Sequence, residues 1–211
     1  MSGLARTIVY VDGFNFYYGC VRGTPWKWLN LQSFFQSLLD PAKNDIQRIK
    51  YFTARVQPTP GDPNVNVRQD SYFRALAVAC PLVEFHYGHF LRHKVRLERV
   101  TPPPPTVEVW KNEEKGSDVN LAVSMLDDCW RNRYDCAVVV SNDSDLALAL
   151  SLVRAKGKTI GLVTPGAPTR KPSAELRKHS SFSRLIRKHH LLTNQLPDPI
   201  PGTTISKPPR W

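Results

Sequence analysis

The sequence predicts an α/β fold, a parallel sheet flanked by helices, with a small β-hairpin insertion. Three observations carry this. Residues 7–12, TIVYVD, are a β-branched apolar run that ends on a carboxylate and a glycine. Residues 136–141, CAVVVS, are a second such run, breaking abruptly into NDSD. Between and after them, segments with apolar residues at helical spacing alternate with further short strands, as a doubly wound sheet requires.

The elements follow in order. TIVYVD reads as a buried parallel strand with Asp12 at its carboxyl end. NLQSFFQSLL at 30–39 has helical spacing, and QRIKYFTARV at 47–56 reads as the second strand. QPTPGDPNVN is a loop; helix resumes over 66–79, where Tyr72, Leu76 and Ala79 share a face, and LVEFHYGHFL at 82–91 is a strand. KVRLE at 94–98 and TVEVWK at 106–111 form a hairpin whose turn contains Pro102 to Pro105, proline being confined to sheet edges and turns. Ser117 is placed to cap a helix over 118–131, with Val119, Ala122, Val123, Leu126 and Trp130 on one stripe and Asp118 in the first turn. After CAVVVS and its loop, LALALSLVRAKG is a helix ended by Gly157, TIGLV at 159–163 is a strand, and a basic helical stretch covers 173–190. These elements make one domain over residues 1–192. From residue 193, a proline-rich segment that includes LPDPIPGTTISKPPRW is predicted to be a disordered tail.

Composition narrows the function. The chain has 211 residues, 41% hydrophobic and 22% charged, which is ordinary for a globular domain. No run approaches the roughly 18–20 apolar residues of a bilayer crossing, and no signal-peptide pattern precedes the first strand, so the expectation is a cytoplasmic protein without a membrane partner. Cys20, Cys80, Cys129 and Cys136 lie far apart with no zinc-ligand spacing and are expected as reduced, buried thiols. The net charge of +11 favours polyanions through counterion release. Within 151–190, ten Lys or Arg residues face one acid, Glu175, and Arg170, Lys171 and Arg177 are the expected phosphate contacts. Phe14, Phe16, Tyr17 and Tyr18 follow the first acid; some could stack on unpaired bases, while at least two suit the core.

The chemistry lies in the carboxylates. In open α/β sheets ligands bind outside the carboxyl ends of the strands, where Asp12 and the pair Asp143 and Asp145 are delivered. Asp118, at a helix start, can join them from the same side. Singly, each aspartate could equally cap a turn or helix. Together, like charges in one pocket need protonation or a cation, and oxygen-only ligands favour Mg2+ or Mn2+. Such an ion activates water and neutralises charge on a phosphodiester in the transition state.

IVYVDGFNFYYG at 8–19, KGSDVNLAVSML at 115–126 and VVVSNDSDLALAL at 138–150 resemble the motifs of NYN domains, of the PIN-like nuclease superfamily, in order and spacing over roughly residues 7–190. The resemblance implies a Rossmann-like sheet and magnesium-dependent cleavage of RNA, with Asp12, Asp118, Asp143 and Asp145 at the acidic positions. It further implies supporting roles for Asn15 and for Ser141, and a phosphate contact for Lys115. The chain departs from the family pattern at Ser124, Asn142 and Leu146, where many relatives carry aspartate, glycine and phenylalanine. The expected function is a metal-dependent ribonuclease acting on single-stranded RNA, with single-stranded DNA as a further candidate and room for a homo-oligomer. The competing expectation is a catalytically silent nucleic-acid-binding module, since some PIN-like domains only bind. A haloacid-dehalogenase phosphatase needs an aspartate where Phe14 stands. A dinucleotide oxidoreductase needs glycines that DGFNFYYG lacks.

Overall fold

The computed structural model describes residues 3–166 and 171–211. Its strands are β1 (Ala5–Asp12), β2 (Asn44–Thr53), β3 (Val83–Tyr87), β4 (His89–Glu98), β5 (Thr106–Lys115), β6 (Cys136–Val140), β7 (Thr159–Thr164) and β8 (Phe182–Leu185). Its helices are α1 (Gly13–Phe16), α2 (Leu31–Leu38), α3 (Val65–Ala79), α4 (Ser117–Trp130), α5 (Ala147–Ala155), α6 (Ala174–His179) and α7 (Lys188–Thr193). A π turn over Tyr17–Val21 continues α1, and a 3-10 turn over Ser144–Leu146 precedes α5.

Six strands form a parallel sheet in the order β3-β2-β1-β6-β7-β8, and β4 pairs with β5 as a separate antiparallel hairpin. With the hairpin strands left out of the count, the order is the doubly wound 3-2-1-4-5-6, which reverses direction between β1 and β6. The crevice at that reversal is where such folds bind ligands.

Side chains alternate across β1. Val9 and Val11 join a core with Phe34, Ile49, Val138 and Val140 on one face, while Ile8 and Tyr10 join Leu121, Met125, Val139 and Ile160 on the other. Asp12 shares the parity of Ile8 and Tyr10, so it rises at the edge of the face covered by α4. Each face buries a continuous apolar layer, which is why both central strands read as unbroken hydrophobic runs.

Four expectations need correction. β2 starts and ends about three residues earlier than its apolar run suggests, because its limits are set by pairing with β1, from Ala5 opposite Asn44 to Asp12 opposite Phe52. The hairpin is longer than expected, β4 and β5 pairing from His89 opposite Lys115 to Glu98 opposite Thr106. The stretch 173–190 is not continuous helix: β8 interrupts it, held by a tertiary partner, Gly161 to Thr164 of β7. The segment from residue 193 is not a loose tail. Leu196 and Ile200 are buried, the Leu196 amide donates to the Trp28 carbonyl at 2.8 Å, and the Trp28 indole donates to the Pro197 carbonyl at 3.1 Å. Trp211 packs against Trp28 and Tyr72 with ring centroids 6.1 and 5.3 Å apart. Its proline content marks a segment without regular structure, but its apolar residues still find a face of the core to cover.

Cys80, Cys129 and Cys136 are buried, and burial pushes the Cys136 thiol up to about 11. Among the described residues, no helix is long and apolar enough to cross a membrane.

Candidate functional site

β1 delivers Asp12 to the reversal point, and the carboxylate caps α1 by accepting the Asn15 amide at 2.9 Å through Oδ1. The chain then turns tightly: a Cβ on Gly13 would lie 2.7 Å from both the Phe52 carbonyl oxygen and the Tyr51 ring, so no larger residue fits there. β6 delivers the partner group. Ser141, fully buried, donates its hydroxyl to Asp12 Oδ2 at 3.0 Å and accepts the Asp143 amide at 3.1 Å. Asp143 in turn caps the 3-10 turn by accepting the Asp145 amide at 3.0 Å. Asn15 bridges the two strand ends, its Oδ1 accepting the Asn142 amide at 3.3 Å. Asn142 reaches onward and accepts the Ser173 amide at 2.7 Å, tying the loop to the start of the basic segment.

Asp12 is 8% exposed and has no ion-pair partner among the described residues. Burial raises its pKa most. The hydrogen bonds from Asn15 and Ser141 oppose this, Asp143 and Glu114 add to it, and the net shift is upward. The site therefore concentrates negative charge with no ion-paired cation among the described residues.

Of the sequence-predicted residues, Asp12, Asn15, Ser141, Asp143 and Asp145 are joined in this one network. Asp145 is exposed, and only its amide takes part. Asp118 is half-buried in the first turn of α4, and its side chain makes no hydrogen bond or ion pair among the described residues. Ser117 does not cap α4 as expected. The helix follows Gly116, whose φ of 89° suits glycine, and the Ser117 amide donates to Glu114 Oε1 at 2.9 Å. Lys115 is exposed and ion-paired to Glu113 at 3.1 Å. Lys171 and Arg177 are exposed, and Arg170 lies outside the described residues.

The expected assembly of four carboxylates is not formed as a preset cage: among the described residues no three acids, histidines or cysteines are grouped closely enough to hold a metal by themselves. The further acid acting on Asp12 is Glu114, which sequence reasoning missed because it ended the second hairpin strand at 111. β5 runs to Lys115 and pairs Glu114 with Phe90, whose ring stacks on Phe14, two residues beyond Asp12. Two carboxylates with hydroxyl and amide support, rather than a closed cage, suit magnesium, which keeps several waters and completes its shell with substrate phosphates.

Ser124, where many relatives have aspartate, lies in a different network. Lys50 donates to Ser124 Oγ at 3.0 Å and to Asp128 Oδ2 at 2.5 Å; Asp128 also accepts from Tyr10 at 2.7 Å and Arg133 at 3.0 Å.

Beside the site lies a cleft of about 720 Å³, bounded by the turn after Asp12, β2, α3, the hairpin and Trp211. Phe14, Tyr17 and Tyr18 face it, while Phe16, which also lines it, is buried in the core.

An acidic crevice at the reversal of a parallel doubly wound sheet marks an α/β protein, and the arrangement is consistent with the PIN-like class. The NYN domain family model matches residues 6–185, and the chain belongs to that family. It is 36% identical to 6-hydroxy-3-succinoylpyridine 3-monooxygenase HspA of Pseudomonas putida, over 98% of this chain and 75% of that protein. Its fold is similar to that of a solved protein of unknown function from Vibrio parahaemolyticus, with a TM-score of 0.56, 15% identity and coverage of 89% of this chain and 98% of that one.

Proposed function

We propose that the chain is a ribonuclease that hydrolyses phosphodiester bonds of cytosolic, single-stranded RNA with a bound Mg2+ or Mn2+ ion. The observation that carries the reading is Asp12: a buried carboxylate at the sheet's reversal point, beside Asp143 and Glu114, with no ion-pair partner among the described residues. Asp12 and Asp143 would hold the ion, with Asp118, Asp145 and Glu114 completing the acidic surround. The ion would supply an activated water and charge neutralisation on the phosphate. Ser141 and Asn15 fix the Asp12 carboxylate in one orientation, so little reorganisation is needed when the ion and substrate arrive. Lys171 and Arg177, with Arg170, would guide the RNA backbone. Lys115 would join them, since the exposed Lys115–Glu113 pair is screened by solvent and yields readily to a phosphate.

The test is cleavage of labelled single-stranded RNA, duplex RNA and single-stranded DNA with magnesium, manganese or chelator, comparing wild type with Asp143→Asn. Metal-stimulated cleavage that disappears in the variant is expected; cleavage undiminished by the substitution or by chelator would sink the reading. Salt-dependent RNA binding without products at any metal concentration would mark a binding module instead.

The aromatic cleft favours a second reading. The Pseudomonas putida relative is named for oxygenation of a substituted pyridine, and a cleft of about 720 Å³ is of a size to admit such a ring. Consumption of 6-hydroxy-3-succinoylpyridine in the presence of dioxygen and a reductant, with no RNA products, would establish it over the first.

A further inference from the structure

We propose that the cleft beside Asp12 is a binding site for a planar aromatic ring bearing an anionic group, with the ring against the aromatic walls and the anion at Lys27, beside the Trp211 indole. This stands apart from the hydrolysis reading.

The walls are aromatic to an unusual degree: Phe14, Tyr17, Tyr18, Tyr72, Phe73 and Trp211 all line the cleft. Its volume of about 720 Å³ falls within the range of small-molecule sites, roughly 300–1,000 Å³. Tyr18 is 59% exposed and Tyr17 37%, so these rings present faces that the core does not use. Flat apolar walls of this kind select flat ligands, through stacking and area removed from water.

The polar groups are unequally satisfied. Asp62 is paired with Arg68, and Gln69 is spent on the backbone of Ala54 and Val56. Lys27, by contrast, has no hydrogen bond or ion pair among the described residues; its ammonium lies 5.7 Å from the Trp211 ring centroid. Burial and the charges of Arg68 and Lys207 draw the pKa of that ammonium down, Asp62 opposes them only in part, and an anion in the cleft would offset the remainder. The Arg22 guanidinium makes, among the described residues, only a cation–π contact with Tyr18, at 4.9 Å. The Trp211 indole nitrogen is buried with no hydrogen-bond partner, a donor left wanting an acceptor. A lysine without an ion pair among the described residues and an orphan N–H therefore adjoin one aromatic cleft, which Arg22 also lines. A carboxylate or a phosphate on the ring would satisfy them alike, so the ligand is either a nucleotide unit or a free aromatic acid.

The test is calorimetric titration of the full chain in chelator, where metal-dependent hydrolysis is silent. Probes are uridine 5′-monophosphate and 4-hydroxybenzoate, against uridine, 4-hydroxybenzamide and inorganic phosphate. At least one aromatic anion should bind with submillimolar affinity, with its neutral analogue and inorganic phosphate weaker by about tenfold or more. Lys27→Gln and Trp211→Phe should each weaken it by about tenfold, the latter keeping an aromatic ring while losing the donor and part of the ring area. Binding of the nucleotide alone assigns the ring to a nucleic acid, and of the benzoate alone to a free acid; either upholds the site. No binding by either anion overturns it. So does an affinity unmoved by both substitutions in variants whose circular dichroism is native, or inorganic phosphate binding as tightly as the aromatic anions.

Discussion

Two buried carboxylates on the same face of the sheet meet opposite fates. Asp128, 1% exposed, sits against Lys50 and accepts hydrogen bonds from Lys50, Tyr10 and Arg133. Burial pushes its pKa up, but those bonds and the Lys50 charge outweigh it, and the pKa is lowered. Asp12, 8% exposed, has neutral donors and acidic neighbours, and its pKa is raised. The first acid has its cation built in. The second has no paired cation among the described residues, which sets it apart from an acid whose charge is balanced within the fold.

The largest expected effect falls on the paired acid. Asp128→Asn leaves Lys50 charged and buried without its partner, and should cost about 3–5 kcal/mol of stability in denaturant unfolding. Lys50→Met combined with Asp128→Leu should recover part of that loss, because an apolar pair needs no charge compensation although the buried Tyr10 hydroxyl then lacks its acceptor. Full stability in the Asp128→Asn single variant would erase the contrast.

Next comes the metal response. Saturating magnesium should stabilise the wild type by about 2–3 kcal/mol at a hundredfold excess over Kd, read as a rise in melting temperature, and should do nothing for Asp12→Asn. An equal rise in both proteins would remove Asp12 from the ion's shell.

The pH dependences should run in opposite directions. The Asp128 pKa is depressed in the fold, so its contribution is fully present above the unfolded carboxylate value of about 3.9 and is lost as pH falls through the folded value. The Asp12 pKa is raised, so its ionised form penalises the fold above about 3.9, and Asp12→Asn should gain stability relative to wild type as pH rises from about 4 towards 7 in metal-free buffer. Melting curves across that range decide it; a wild-type advantage that grows with pH would mean that Asp12 is balanced by a cation.

The smallest effect concerns Asn142. Its side chain accepts the Ser173 amide, which glycine could not do, so Asn142→Gly should cost about 0.5–1.5 kcal/mol and speed hydrogen exchange at Ser173. Unchanged exchange would leave the departure from the family pattern without a structural role.

The sequence by itself determined the layered α/β plan and the two strand ends that carry Asp12 and Asp143. Strands buried on both faces leave unbroken apolar runs, and the break after each run marks where the chain leaves the core. The NYN motifs gave the same assignment from the same residues. What only tertiary structure decided depends on partners distant in the chain. β8 is a strand because β7 lies beside it, and the segment after residue 193 is ordered because Trp28 and Tyr72 offer it a surface. Glu114 approaches Asp12 because the hairpin runs four residues further than its apolar pattern shows. The division of labour between Asp12 and Asp128 is likewise invisible in composition or spacing. It rests on which side chain, Lys50 or Ser141, the packed sheet places within hydrogen-bonding distance of each carboxylate.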